Sequence, residues 1–134
     1  MGCRFCEGLR GVIDLIRPAN CVSAGTGPAA AALAVGARPW TAAALFGSGF
    51  FAYAAGVALN DILDRKRDAV ERPERPIPRG AVGVVAAVFV VALCATASLT
   101  FAALTSMKLI LWYVLVLLLA AGYDALKKRP SFRY

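Results

Sequence analysis

Long apolar runs separated by charged islands organise this chain. Residues 18–37, 40–60, 81–104 and 108–126 are overwhelmingly apolar, and each run is about 20 residues, the length a helix needs to cross hydrocarbon. Between Pro18 and Asn60 the only charged residue is Arg38, and between Ala81 and Leu126 there are only Lys108 and Asp124. The pattern predicts an all-α integral membrane protein, one membrane domain over residues 1–134 with four transmembrane helices. The first seventeen residues behave differently. Phe5, Leu9, Val12, Ile13 and Ile16 alternate with Arg4, Glu7, Arg10, Asp14 and Arg17 at near-helical spacing, which predicts an N-terminal amphipathic helix on the membrane surface. Residues 61–80 are the one long polar stretch. Up to Arg72 this stretch lacks Gly and Pro, so helix two is expected to run on into the cytoplasm. Pro73, Pro76 and Pro78 then forbid a regular helix and are expected to hold the loop extended as far as Gly80.

Within the spans, small residues dominate the first, and Gly47, Gly49 and Gly56 mark the second as a close-packing surface. Thr96, Ser98 and Thr100 are placed to bond to their own helix, Thr105-Ser106 to make a short outer turn, and Trp112 and Tyr113 to sit in an interfacial aromatic belt.

Composition narrows the class further. The 134 residues are 60% hydrophobic and 17% charged, more apolar surface than a soluble domain of this size can hide. The net charge of +7 would suit a nucleic-acid binder, but the basic residues gather at the ends of the apolar runs. That bias places both termini and the 61–80 loop in the cytoplasm, with no nucleic-acid partner. The expected location is the cytoplasmic membrane of a bacterium or archaeon. The charged N-terminal segment has no apolar core of signal-peptide length. Cys3 and Cys6 form a C-x-x-C pair without two further ligands nearby, Cys21 and Cys94 fall within spans, and there is no histidine.

The chemistry concentrates at Asn60, Asp61, Asp64 and Asp68. On a helix the three aspartates are spaced i, i+3, i+7 and share a face that Asn60 borders. Carboxylates gathered at a membrane boundary repel unless a cation lies among them, and Mg²⁺ takes oxygen ligands of this kind together with substrate phosphates. The competing interpretation is a solvated helix end, with i, i+4 pairs Asp61/Arg65, Asp68/Arg72 and Glu71/Arg75. Placement at a membrane boundary favours function, and neighbouring arginines are suited to diphosphate oxygens.

The run from Tyr53 to Gly80, YAAGVALNDILDRKRDAVERPERPIPRG, resembles the first aspartate-rich motif of UbiA-type prenyltransferases, N-D-x-x-D-x-x-x-D, with the proline loop that follows it. Arg17-Pro18-Ala19-Asn20 resembles the R-P-x-N entry to the first helix, and Tyr123 to Lys127 the Y-x-x-x-K end of the fourth. Details of Y-D-A and R-P-E-R-P-I-P lean toward EboC-like bacterial members. The resemblance implies half of a UbiA-type helical bundle. It also implies a transferase of alkyl or aryl groups other than methyl, moving a prenyl group from a polyprenyl diphosphate to an acceptor with Mg²⁺ as cofactor. Under it, Asp61, Asp64 and Asp68 are catalytic. Together with Asn60 they hold the metal. Asn20, Asn60, Arg65, Lys66, Arg67, Tyr123 and Lys127 bind substrate, with Asn20 facing the central cavity.

Such enzymes carry a second aspartate-rich motif in a second set of spans, and no residues here match it. The expectation is therefore a truncated or half enzyme, or a half that works with a second chain. The alternative is a non-catalytic membrane scaffold that keeps the diphosphate-binding face. A transporter fits less well, because the carboxylates lie at the boundary of the membrane and not near its midplane.

Overall fold

A computed structural model describes residues 4–126, which form five α-helices: α1 (Arg4–Ile16), α2 (Pro18–Ala34), α3 (Pro39–Glu71), α4 (Val84–Thr105) and α5 (Met107–Leu126). α3 is the axis of the molecule. α2 packs along one side of it and α4 along another, while α5 touches both α3 and α4 more lightly and α1 lies near its C-terminal part. At 1.5 Å per residue the 33 residues of α3 extend about 50 Å, longer than a bilayer's hydrocarbon core. α3 and α4 are long and apolar enough to cross a membrane, and residues Met107–Tyr123 of α5 form a shorter apolar stretch.

The helix ends correct the expected boundaries. α2 stops at Ala34 rather than at residue 37, because Gly36 takes a left-handed conformation (φ +76°). Its N–H bonds to the Leu33 carbonyl and the N–H of Ala37 to that of Ala32, a reversal that closes a helix and that glycine enters without penalty. α4 begins at Val84, three residues later than expected, since residues 81–83 belong to the preceding turn. Ser106 alone separates α4 from α5.

Residues 72–83 are not extended. The Pro76 carbonyl accepts hydrogen bonds from the N–H groups of both Ala81 and Val82 (3.0 and 3.1 Å), and Gly80 reverses the chain at φ +76°. Proline removes donors but keeps its acceptor, so the prolines end the helix and then cap a compact turn. Val82 and Ile77 from this turn pack with Leu15 and Val12 of α1 and with Ala58 and Ile62 of α3. Leu15 is fully buried, so α1 is anchored to protein along one edge. Its Leu9 and Ile13 stay exposed.

Close approach of α2 to α3 rests on Gly25 and Gly49. A Cβ on Gly25 would lie 2.7 Å from the Phe46 carbonyl oxygen, and one on Gly49 2.8 Å from that of Ala24. Gly47 meets the Phe101 ring of α4 in the same way, at 3.0 Å. Gly56 departs from the packing role expected of it, for nothing lies within 4 Å of a Cβ placed there.

Ser98 also departs from expectation. It donates to the Ser48 carbonyl of α3 (2.9 Å), and Ser48 donates back to the Ser98 carbonyl (3.0 Å), both side chains fully buried. Thr100 does bond within its helix, to Thr96. Removing the reciprocal clamp by Ser48→Ala with Ser98→Ala is expected to cost about 1 kcal/mol in total, the usual scale of interhelical hydrogen bonds in apolar surroundings. Thermal melts of both single variants and the double in detergent measure it, with a non-additive double as the expected signature.

Candidate functional site

Asp61, Asp64 and Asp68 occupy one face of α3 where it leaves its apolar stretch, and all three are buried: 2, 5 and 1% exposed. The helical period brings them together without a break, because no Gly or Pro interrupts α3 from Val57 to Glu71. Burying carboxylates costs several kcal/mol each unless positive charge and hydrogen bonds compensate. For Asp61 and Asp68 the compensation comes from other segments of the chain. Arg17 Nη2 donates to Asp61 Oδ1 at 3.1 Å, and Arg75 Nη1 donates to the same oxygen at 2.9 Å. The same Arg75 nitrogen reaches Asp68 Oδ2 at 2.7 Å. Asp64 receives Arg67 Nη2 at 3.3 Å, and Arg67 also contacts Glu71 at 3.4 Å.

The local pairs anticipated from i, i+4 spacing are replaced by these. Arg65 turns to the Ile62 carbonyl (3.0 Å) and Glu71 pairs with Arg67, which leaves Asp61 to Arg17 and Arg75. Arg75 reaches the carboxylates because the compact turn folds back under the end of α3; an extended loop would carry it away.

Arg17 is set in place by strain. It is the only non-glycine among the described residues with positive φ (52°), and it precedes Pro18, the first residue of α2. A proline disfavours the right-handed helical region for the residue before it, so α1 and α2 cannot fuse. The bend aims the guanidinium at Asp61. A non-glycine held there costs of order 1 kcal/mol or more and persists where the surroundings over-determine it.

A groove of about 670 Å³ adjoins this cluster, lined by α2, α3 and α5. Arg17 and Asn60 supply its polar end, and Gly49, Gly56, Val57, Val116, Leu117 and Ala120 part of its apolar wall, with Tyr53, Tyr113 and Tyr123 along it. Gly56 thus makes room where it was expected to pack, and Tyr113 lines the groove. The three aspartates do not line the groove themselves; Arg17 links it to Asp61.

The other expected substrate-binding residues divide. Asn60 and Tyr123 line the groove, while Asn20 is exposed and does not. Arg65 and Lys66 are exposed on α3, away from the groove lining. Lys127 and Cys3 lie outside the described residues. Arg17 and Arg75 were not among the expected site residues, and the signal for both was a proline at the next position, marking each as a bend that can turn a side chain inward.

Chemically, the cluster is a set of hard oxygen donors. Asp68 Oδ1 is buried without a hydrogen-bond partner, a costly state that a cation or a bound donor would relieve. Among the described residues no three acidic or cysteine side chains converge tightly enough to hold one ion unaided.

A profile of the UbiA prenyltransferase family matches residues 21–133. The chain belongs to the UbiA prenyltransferase family. Its relatives include digeranylgeranylglyceryl phosphate synthases from archaea. That of Natronomonas pharaonis is 43% identical over 94 residues, 68% of this chain and 34% of that protein. That of Haloquadratum walsbyi is 46% identical over 77 residues, 55% of this chain and 27% of that one. A solved structure described as giving structural and mechanistic insights into digeranylgeranylglyceryl phosphate synthase in membranes superposes with a TM-score of 0.83 at 25% identity. The match covers 91% of this chain and 45% of that one. These relatives correct the lean toward EboC-like members. In length, the matched region spans about a third of the curated relatives.

Proposed function

We propose that this UbiA-family chain supplies the diphosphate-binding half of a prenyl transfer site in a cytoplasmic membrane, with α2 to α5 spanning and α1 on the surface. The observation that carries this reading is the buried aspartate face of α3, tied through Arg17 to the polar end of an apolar groove. The groove suits an isoprenoid chain: its walls are apolar and aromatic, and its polar residues gather at one end. Asn60, Asp61, Asp64 and Asp68 would hold Mg²⁺, a fit supported by their all-oxygen donors and by the unpartnered Asp68 Oδ1. Mg²⁺ in such a site neutralises charge on a leaving diphosphate. Because the carboxylates do not converge on one point unaided, diphosphate oxygens would complete the coordination. Arg17 and Asn60 orient the diphosphate at the groove mouth, and the apolar walls keep water from the allylic carbon as its bond to oxygen breaks.

The relatives' name describes a glyceryl phosphate bearing two geranylgeranyl groups, and we assign this chain to the same class of reaction, with a geranylgeranyl diphosphate as prenyl donor. A geranylgeranyl diphosphate analogue carrying a diazirine in its tail tests the assignment. Crosslinks are expected on α3 and α5 peptides containing Tyr53, Gly56 and Leu117, suppressed by unlabelled geranylgeranyl diphosphate only when Mg²⁺ is present. Labelling confined to the outer faces of α4 would contradict it. A second reading, a binding module without turnover, draws on the groove being walled, among the described residues, by α2, α3 and α5. Tritium transfer from labelled geranylgeranyl diphosphate to geranylgeranylglyceryl phosphate separates the two.

A further inference from the structure

Arg75 holds two carboxylates that belong to the proposed metal site, and does so with a single nitrogen. Its Nη1 lies 2.9 Å from Asp61 Oδ1 and 2.7 Å from Asp68 Oδ2, bridging residues two helical turns apart. The side chain is 15% exposed, so the bridge is poorly screened by water. The turn that carries it is itself fixed: the Arg75 carbonyl accepts the Arg79 N–H (3.0 Å), Arg79 pairs with Asp14 of α1 at 2.6 Å, and Pro76 is buried. A cation entering between Asp61 and Asp68 meets a guanidinium already in possession of one oxygen of each.

We propose that Arg75 is a built-in counter-ion that keeps the aspartate face assembled without metal and competes with the divalent cation for it, so that a diphosphate is needed to draw Arg75 off. This rests on the metal-site reading above. Without Arg75, Asp61 would keep Arg17 but Asp68 would lose its cation, and the end of α3 would loosen; with Arg75 both stay in place. The same contact weakens binding of a free divalent ion, because both cations seek the same two oxygens. A diphosphate changes the balance by offering Arg75 a bidentate anion at the moment it supplies oxygens to the metal. The cation then binds well only as its diphosphate complex. Arg75 thus acts on Asp61 and Asp68 before the diphosphate arrives and on the diphosphate itself afterwards.

The test uses the purified chain in detergent, with bound Mn²⁺ counted by electron paramagnetic resonance, with and without inorganic diphosphate. Arg75→Gln is expected to bind Mn²⁺ alone at least about tenfold more tightly than the unmodified chain, since a competing charge is gone. Its melting temperature should fall in EDTA and recover in Mn²⁺, while that of the unmodified chain barely responds to the metal. Arg75→Lys keeps the charge and should restore Mn²⁺ affinity to near that of the unmodified chain. Unchanged or weaker Mn²⁺ binding by Arg75→Gln would overturn the proposal, as would Arg75→Lys behaving like Arg75→Gln. An Arg75→Gln chain unfolded in both EDTA and Mn²⁺ would make Arg75 a structural strut and overturn it too. If no variant and no unmodified protein binds Mn²⁺, with or without diphosphate, the metal-site reading itself falls; a change absent only from the variants removes this inference alone.

Discussion

Asp61→Ala is expected to abolish Mg²⁺-dependent prenyl diphosphate binding and to lower stability by about 1–3 kcal/mol, the cost of leaving partly buried donors without their acceptor. Asp61 Oδ1 is where Arg17 from the α1–α2 bend and Arg75 from the 72–83 turn meet. Its loss takes the carboxylate from Arg17 and leaves Arg75 held by Asp68 alone, with the two guanidiniums no longer separated by a shared oxygen. The strained backbone at Arg17 also loses the contact that its bend serves. Asp61→Asn retains the shape and an acceptor oxygen but not the charge, so it should recover part of the stability and none of the metal-dependent binding. Thermal melts and equilibrium binding on the three proteins check this. A variant with unchanged melting and unchanged binding would show that the meeting point of the two arginines carries neither fold nor function.

Gly49→Ala should cost about 1–3 kcal/mol, the range for forcing extra volume into a packed interface. The added carbon would stand 2.8 Å from the Ala24 carbonyl oxygen and 3.2 Å from the Gly25 Cα. Both are backbone atoms, so relief requires the helices to separate. Because α2 begins with the bend that holds Arg17 and α3 carries Asp61, separation stretches the 3.1 Å contact between them. Stability and prenyl diphosphate affinity should therefore fall together. Gly56→Ala provides the contrast: it meets nothing within 4 Å and lines the groove, so it should leave melting nearly unchanged while narrowing the space for a prenyl chain. Melts with a parallel binding assay distinguish the two glycines.

What could be read from the sequence was what short-range periodicity controls. The absence of Gly and Pro from Val57 to Glu71 announced that the second apolar helix would continue past its span, and the i, i+3, i+7 aspartates announced a shared face. What could not be read was set by tertiary contact. Asp61 had a candidate partner four residues away in Arg65, yet it pairs across the fold with Arg17 and Arg75, because burial of the aspartate face excludes the exposed Arg65 side. Three prolines in six residues signalled the end of the helix but not the double acceptance at the Pro76 carbonyl that makes the turn compact. Glycines in α3 looked equivalent in sequence; Gly47 and Gly49 meet neighbours, while Gly56 opens onto the groove. Family membership was legible from three ordered motifs, whereas the branch suggested by a few residues gave way to similarity with archaeal synthases over 94 residues.

The proposed function requires the aspartate face and the groove to act as one diphosphate-recognising site. Equilibrium binding of radiolabelled geranylgeranyl diphosphate to the purified chain in detergent, with Mg²⁺ and then with EDTA, tests it most directly. Saturable binding that requires Mg²⁺ and is displaced by inorganic diphosphate is the predicted result. Equal binding in Mg²⁺ and EDTA, or none at saturating Mg²⁺ by a folded sample, would contradict the claim.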